Sequence, residues 1–243
     1  MKRTIVLLAL VLAAGICQPA CHKDEAAKNE AVPKLAEPDQ WARAEKDQSP
    51  AAYDAYLDNY PAGPKAQEAK EALRELWDAK VKDLTPASME NLTAVIETNR
   101  GTIRFKFYPR VAPETCKNFI KLAQSRFYDG LTYHRIIDGF MIQGGDPIGN
   151  GSGGPGYSVK AEFGDQKHLE GTVAMARSAD PNSAGSQFYI CLAPQPKLDR
   201  KYTVFGQVSS GMDVVHQIGS SRTGPGDRPI EPQIMKKVYI EGL

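Results

Sequence analysis

The chain has 243 residues, 42% of them hydrophobic, with 30 Lys/Arg against 29 Asp/Glu, enough for one domain of fair size and something smaller. Residues 22–90 carry 10 basic against 15 acidic side chains and residues 91–243 carry 18 against 14, which marks two modules of different character. Neither has the clustered Lys/Arg of a nucleic-acid face, which argues against nucleic acid as a partner.

Lys2 and Arg3 precede TIVLLALVLAAGI, an apolar run of signal-peptide length and too short to span a bilayer. Residues 1–21 are therefore expected to be an export signal, with the periplasm as destination. Cys17 and Cys21 follow in AAGICQPACHKDE, and either could end a lipoprotein signal, although Ile16 and Gln18-Pro19-Ala20 depart from its usual small residues. Any membrane attachment would be by lipid alone. Cys17, Cys21 and His22 lack a fourth ligand for zinc, and no metal is expected. Residues 22–38 are rich in Ala, Lys, Glu and Pro and read as a flexible tether.

Residues 39–84 change character. Tyr53, Tyr56, Leu57 and Tyr60 have helical spacing, as do Ala66, Ala69, Leu73, Leu76 and Trp77, with YPAGP as a turn between them. The phrase YLDNYP before an Ala-rich helix resembles one tetratricopeptide-like hairpin. A single such unit cannot close a core, so it should pack on the next domain, a protein partner or another copy. The same pattern also fits an amphipathic spacer.

From residue 91 the period switches to that of strands. LTAVIET, the turn TNRG and TIRFKFYP predict a hairpin, and APETCKNFIKLAQSRF predicts a helix with Pro113 in its opening turn. Strands are predicted around Tyr133–Ile136, Phe140–Gln143, Gly171–Ala176, Gln187–Leu192, Thr203–Val208 and Ile234–Ile240, with a short helix over Met212–Ile218. Many short strands with Gly/Pro-rich connections suggest a barrel or sandwich.

Three phrases carry chemistry: YHRIIDGFMIQGGD, GTVAMARSADPNSAGSQFYICLA and LDRKYTVFGQV. Together they resemble the cyclophilin family of peptidyl-prolyl cis/trans isomerases, collinearly from about Leu92 to Leu243. The resemblance implies a mainly β domain over 91–243, an eight-stranded antiparallel barrel capped by two helices and needing no cofactor. It makes Arg135 the catalytic arginine, assisted by Phe140 and Gln143. Met141, Tyr189 and Leu198 fall with Phe140 on the walls of a proline pocket. Gln143 and Gln187 are expected to hold the arginine and the substrate backbone. His134, Ala176 and Arg177 fall at the rim, Gly151 in a neighbouring glycine-rich loop, and Tyr202 beside the pocket.

Some positions depart from the best-known eukaryotic pattern. Tyr189 stands for a second Phe, Arg177 for an Asn that acts largely through its backbone, and Tyr202 for a histidine. Lys197 replaces the tryptophan associated with tight cyclosporin binding, so weak cyclosporin affinity is expected.

The chemistry is consistent with these residue types. Rotation of an X–Pro bond crosses a barrier of ~18–20 kcal/mol because it breaks amide resonance. No covalent bond changes, so a dry apolar grip on the ring and a cationic donor near the imide suffice. The expected function is acceleration of X–Pro rotation in proline-containing, unfolded envelope polypeptides. A proline-peptide-binding chaperone or adaptor, with residues 39–84 choosing the partner, is the alternative. A third is a scaffold that dimerises through that hairpin.

Other features read more plainly. GNGSGG holds a G-x-G-x-x-G pattern, but Pro155 and Gly156 follow where a dinucleotide loop needs a helix. His168 reads as a solvated loop residue and His216 as a surface residue of the short helix. Cys116 and Cys191 sit in apolar contexts as small buried hydrophobes, with a disulfide between them as the alternative.

Overall fold

Alternation in TAVIET and TIRFKF gives the first two strands; burial alternates in the second, with Ile103, Phe105 and Phe107 inward and Lys106 outward, whereas Ala94, Val95 and Ile96 of the first are all buried. The computed structural model describes residues 35–243. The predicted leader, Cys17, Cys21 and residues 22–34 of the predicted tether lie outside the described residues.

Eight strands follow in order: β1 Thr93–Thr98, β2 Thr102–Phe107, β3 Arg135–Ile137, β4 Met141–Gly144, β5 Thr172–Met175, β6 Phe188–Cys191, β7 Val204–Ser210 and β8 Met235–Glu241. All neighbours are antiparallel, in the order β3-β4-β6-β5-β7-β2-β1-β8. Register shifts at Glu97/Thr98, Arg104/Phe105 and Val173/Ala174 add twist and curl the sheet. Its two edges approach each other through the Thr132–Ile234 bridge and the Tyr133 N–H to Gln233 carbonyl bond of 2.8 Å, making a curled half-barrel.

Among the described residues six α-helices accompany it: α1 Glu37–Asp47, α2 Pro50–Asn59, α3 Ala66–Lys82, α4 Pro86–Met89, α5 Pro113–Gln124 and α6 Met212–Gly219. The α5 helix buries Cys116, Phe119, Ile120, Leu122 and Ala123 on one stripe. Phe119 meets Phe105, Tyr128, Phe188 and Phe205 at ring-centroid distances of 5.1, 5.0, 5.5 and 5.5 Å. Its first turn is capped from afar: Glu162 accepts from the Glu114 and Thr115 N–H groups at 3.1 and 2.8 Å.

The segment expected as a two-helix hairpin carries three helices. The additional α1 starts at Glu37, inside the predicted tether, and its Trp41 packs on Tyr53 and Tyr56. Its apolar face is so narrow that composition alone hid it; the buried Gln40 is held by donating to the Ala55 carbonyl at 2.7 Å. These helices share one buried cluster with the strands, running from Tyr56, Leu73 and Trp77 to Phe119. Lys121 of α5 bonds Asp78 of α3 at 3.0 Å, and Arg126 bonds Asp54 and Asp58 of α2, each at 2.7 Å.

Cys116 and Cys191 are free and buried, without a disulfide. His168 corrects the expectation of a solvated loop residue: its side chain is fully enclosed, because polar groups from two other segments partner its ring.

Candidate active site

The β3–β4 hairpin sets the cleft. Arg135 pairs with Gln143 and Ile137 with Met141, so these four face the side opposite Ile136 and Ile142, which enter the main core. Gly139, at φ 66, makes the turn and leaves Phe140 at the mouth. Strand β6 continues the face, pairing Tyr189 with Gln143 and Cys191 with Met141. Ala174 of β5 lies opposite Tyr189. Met141, Ala174, Tyr189, Cys191 and Val204 thus form a second, smaller apolar cluster beneath the cleft, with Phe140, Leu198 and Tyr202 packed on it.

A cavity of about 630 Å³ opens above this floor. It brings together eleven of the residues singled out from sequence: His134, Arg135, Phe140, Met141, Gln143, Gly151, Ala176, Arg177, Tyr189, Leu198 and Tyr202. Gln187 lines an adjoining cavity of about 700 Å³, which also touches Gln143, Gly151, Ala176 and Arg177. Asn150, Pro225, Gly226 and Arg228 complete the first cavity and were not anticipated; their loops offer only turn signals.

The hydrogen bonds correct one expectation. Arg135 Nε donates to Asp227 Oδ2 at 3.2 Å, whereas Gln143 Nε2 donates to Gln187 Oε1 at 2.9 Å. The guanidinium is therefore held by a loop carboxylate rather than by Gln143. Gln187 Nε2 in turn donates to the Gly151 and Gly153 carbonyls at 2.9 and 2.8 Å, tying the amide pair to the glycine-rich loop.

That loop wraps a carboxylate and leads into no helix. Asp146 accepts from the N–H groups of Ile148, Asn150 and Gly151 at 2.8, 3.0 and 2.5 Å. Burial raises its carboxyl, but these backbone donors outweigh it and hold the group below the usual carboxylate range. Gly151 sits at φ 93, and a Cβ at Gly153 would collide with Asp146, so both positions need glycine.

Electrostatics around the cavity suit binding better than covalent chemistry. His134 is 7% exposed, and neither ring nitrogen has a partner. Burial, aided by Arg228 and Arg135, lowers its pKa against the pull of Asp146, so a neutral imidazole borders the cavity with both ring nitrogens buried and unpartnered. The Cys191 thiol beneath the floor is pushed up to about 12 by burial and is no nucleophile at neutral pH. Arg177 lies over the Tyr202 ring at 4.6 Å, cationic but anchored only by carbonyls.

Behind the floor runs a polar chain unforeseen from sequence. The Tyr189 hydroxyl is 3.1 Å from His168 Nε2, and His168 Nδ1 is 3.1 Å from Asp199 Oδ1. Burial lowers the His168 pKa more than Asp199 raises it. The His168 N–H and ring hold Asp199 at about 2. The consistent tautomer donates from Nδ1 to the carboxylate and accepts the phenol proton at Nε2.

Residues 93–240 match the family model described as cyclophilin type peptidyl-prolyl cis-trans isomerase/CLD. A peptidyl-prolyl cis-trans isomerase of Synechococcus elongatus is 49% identical over 144 residues, which cover 58% of this chain and 95% of the relative. Peptidyl-prolyl cis-trans isomerase B of Streptomyces anulatus is 40% identical over 171 residues, covering 63% of this chain and 98% of its own. The crystal structure of a Cryptosporidium parvum cyclophilin-type isomerase, determined in the presence of the dipeptide Ala-Pro, superposes with a TM-score of 0.60 at 32% identity. It covers 62% of this chain and 99% of that one.

Proposed function

This chain belongs to the cyclophilin-type peptidyl-prolyl cis/trans isomerase family, and we propose that it rotates X–Pro bonds in exported polypeptides by a non-covalent route centred on Arg135. The observation that carries this reading is the placement of a half-exposed guanidinium against an apolar floor. Phe140, Met141, Tyr189 and Leu198 would take the proline ring, and Arg135 stands at their edge.

Rotation localises the imide nitrogen's lone pair, and a donor near that nitrogen favours the twisted form over either planar isomer. A charge-assisted hydrogen bond contributes about 1.5–3 kcal/mol, or one to two decades in rate at about 1.4 kcal/mol per decade. The remainder is assigned to a dry, preorganised environment fitted to the twisted amide. Asp227 fixes the plane of the guanidinium through Nε and leaves both terminal nitrogens for substrate. Gln143 and the Gly151 loop would offer polar groups to an extended backbone beside the ring.

The test is cis/trans exchange of an X–Pro peptide with wild type and Arg135→Ala. A drop of about 10- to 100-fold is expected; equal, negligible rates for both would leave only the binding-adaptor reading. Export rests on Lys2, Arg3 and the apolar run after them, and anchoring on Cys17 or Cys21. The mass of the mature N-terminus tests both, since an uncleaved chain starting at Met1 would overturn export.

A further inference from the structure

The cavity is lined by three arginines and no carboxylate. Arg135 has a carboxylate partner in Asp227. The other two do not. Arg177 donates from Nε and Nη2 to the Lys201 carbonyl and from Nη1 to the Ser178 and Ala179 carbonyls. Arg228 donates from Nη2 to the Gly149 carbonyl at 2.8 Å. Carbonyls orient a guanidinium but leave its charge, and among the described residues neither arginine makes an ion pair. The nearby carboxylates are committed: Asp146 to the loop amides, Asp199 to His168 and Lys167, and Asp227 to Arg135.

Resting on the isomerase reading, we propose that this site selects X–Pro segments with a carboxylate side chain flanking the proline, received by Arg177 and Arg228 while Arg135 serves the imide. An extended chain advances about 3.4 Å per residue, so residues directly beside a seated proline come to the rims of the cleft. Arg177 borders both this cavity and its neighbour, and Arg228 joins Pro225 and Gly226 in bordering the first. A Glu or Asp there gains an ion pair that the fold itself leaves unmade, whereas a Lys meets two like charges.

The experiment uses short peptides with Glu, Gln or Lys before or after an X–Pro bond. Both kcat/KM for exchange and binding affinity are measured at 0.01 M and 1 M salt, where the screening length is about 30 and about 3 Å. Glu should exceed Lys by about tenfold at low salt in both measurements, since an exposed pair gives up to about fivefold per arginine. The ratio should fall below about twofold at high salt. Arg228→Gln should cut the low-salt ratio about threefold, and the double variant with Arg177→Gln should bring it close to one. Arg228 is exposed, so its single variant carries the test if the loss of Arg177's backbone bonds prevents folding. Exchange accelerated equally for Glu and Lys peptides, or a ratio that survives both substitutions, overturns this preference alone. No acceleration for any peptide overturns the isomerase reading and the preference with it.

Discussion

Tyr189 and His168 are joined by a hydrogen bond of 3.1 Å between the phenol oxygen and Nε2, under the floor of the cleft. The rings stack at 14°, and the His168 side chain is fully enclosed. Tyr189→Phe keeps the apolar floor but leaves Nε2 buried without a donor. A group orphaned in this way costs about 1–3 kcal/mol, which lowers the melting temperature by about 2–4 °C per kcal/mol in a chain of this size. Thermal unfolding of the two proteins checks it, and a Phe variant as stable as wild type would show that the phenol bond carries no weight. Exchange activity should change less than threefold, because the face presented to proline stays the same.

The pairing of Arg135 with Asp227 gives a second expectation. The side chains are 42% and 45% exposed, so the ion pair adds little to stability. On the proposed mechanism its role is orientation. Asp227→Asn should leave the melting temperature within about 1 °C, consistent with an exposed pair of about 0–1 kcal/mol. It should lower kcat for X–Pro exchange by about two- to fivefold, the scale of one weakened hydrogen bond. An unchanged kcat would mean that substrate alone orients the guanidinium.

These two relationships differ in how far sequence could reveal them. Arg135, Phe140 and Gln143 lie in one phrase, and the register of the β3–β4 hairpin puts Arg135 and Gln143 on a common face. Asp227 lies 92 residues from Arg135, in a loop that signals only a turn. Glu162 caps α5 from 47 residues away, and no local pattern marks it as a cap. His168 has polar neighbours in KHLE and so reads as solvated; its enclosure depends on Tyr189 and Asp199, each brought in by folding. The strands were legible because alternation is a local consequence of one buried face. The α1 helix was not, because it buries little beyond Gln40 and Ala44. What periodicity misses throughout is the polar partner supplied from a distance.

Arg126 shows how the helices are fastened to the strand domain. Its side chain is 12% exposed, and it bonds Asp54 and Asp58, which are 38% and 55% exposed. It holds this position from a backbone φ of 57, which an alanine would share without gaining anything. Arg126→Ala frees Asp54 and Asp58, which water can reach, and removes the longer pairing with the less exposed Asp129 at 3.8 Å, so the loss falls below that of a fully buried pair, at about 1–3 kcal/mol. Urea denaturation of the full chain measures it; a loss below about 0.5 kcal/mol would place the fastening in the apolar contacts of α3 with α5 instead.

Asp129 lies beside the same arginine and titrates in the opposite sense from an ordinary ion-paired carboxylate. Burial lifts it to about 6, while the Val238 N–H at 2.9 Å and Arg126, already shared between two other aspartates, pull only partly against that rise. An unfolded Asp titrates near ~3.9. Between those two values the folded chain keeps a proton that the unfolded chain has released, so this group's contribution to stability falls as pH rises from about 4 to about 6. Asparagine keeps an Oδ1 acceptor for Val238 and removes the titration. The stability of Asp129→Asn relative to wild type should therefore climb by about 1–3 kcal/mol from pH 4 to pH 7 and level off above it. Urea midpoints of both proteins across that range decide the matter, and parallel curves would mean that Asp129 titrates alike in the folded and unfolded chains.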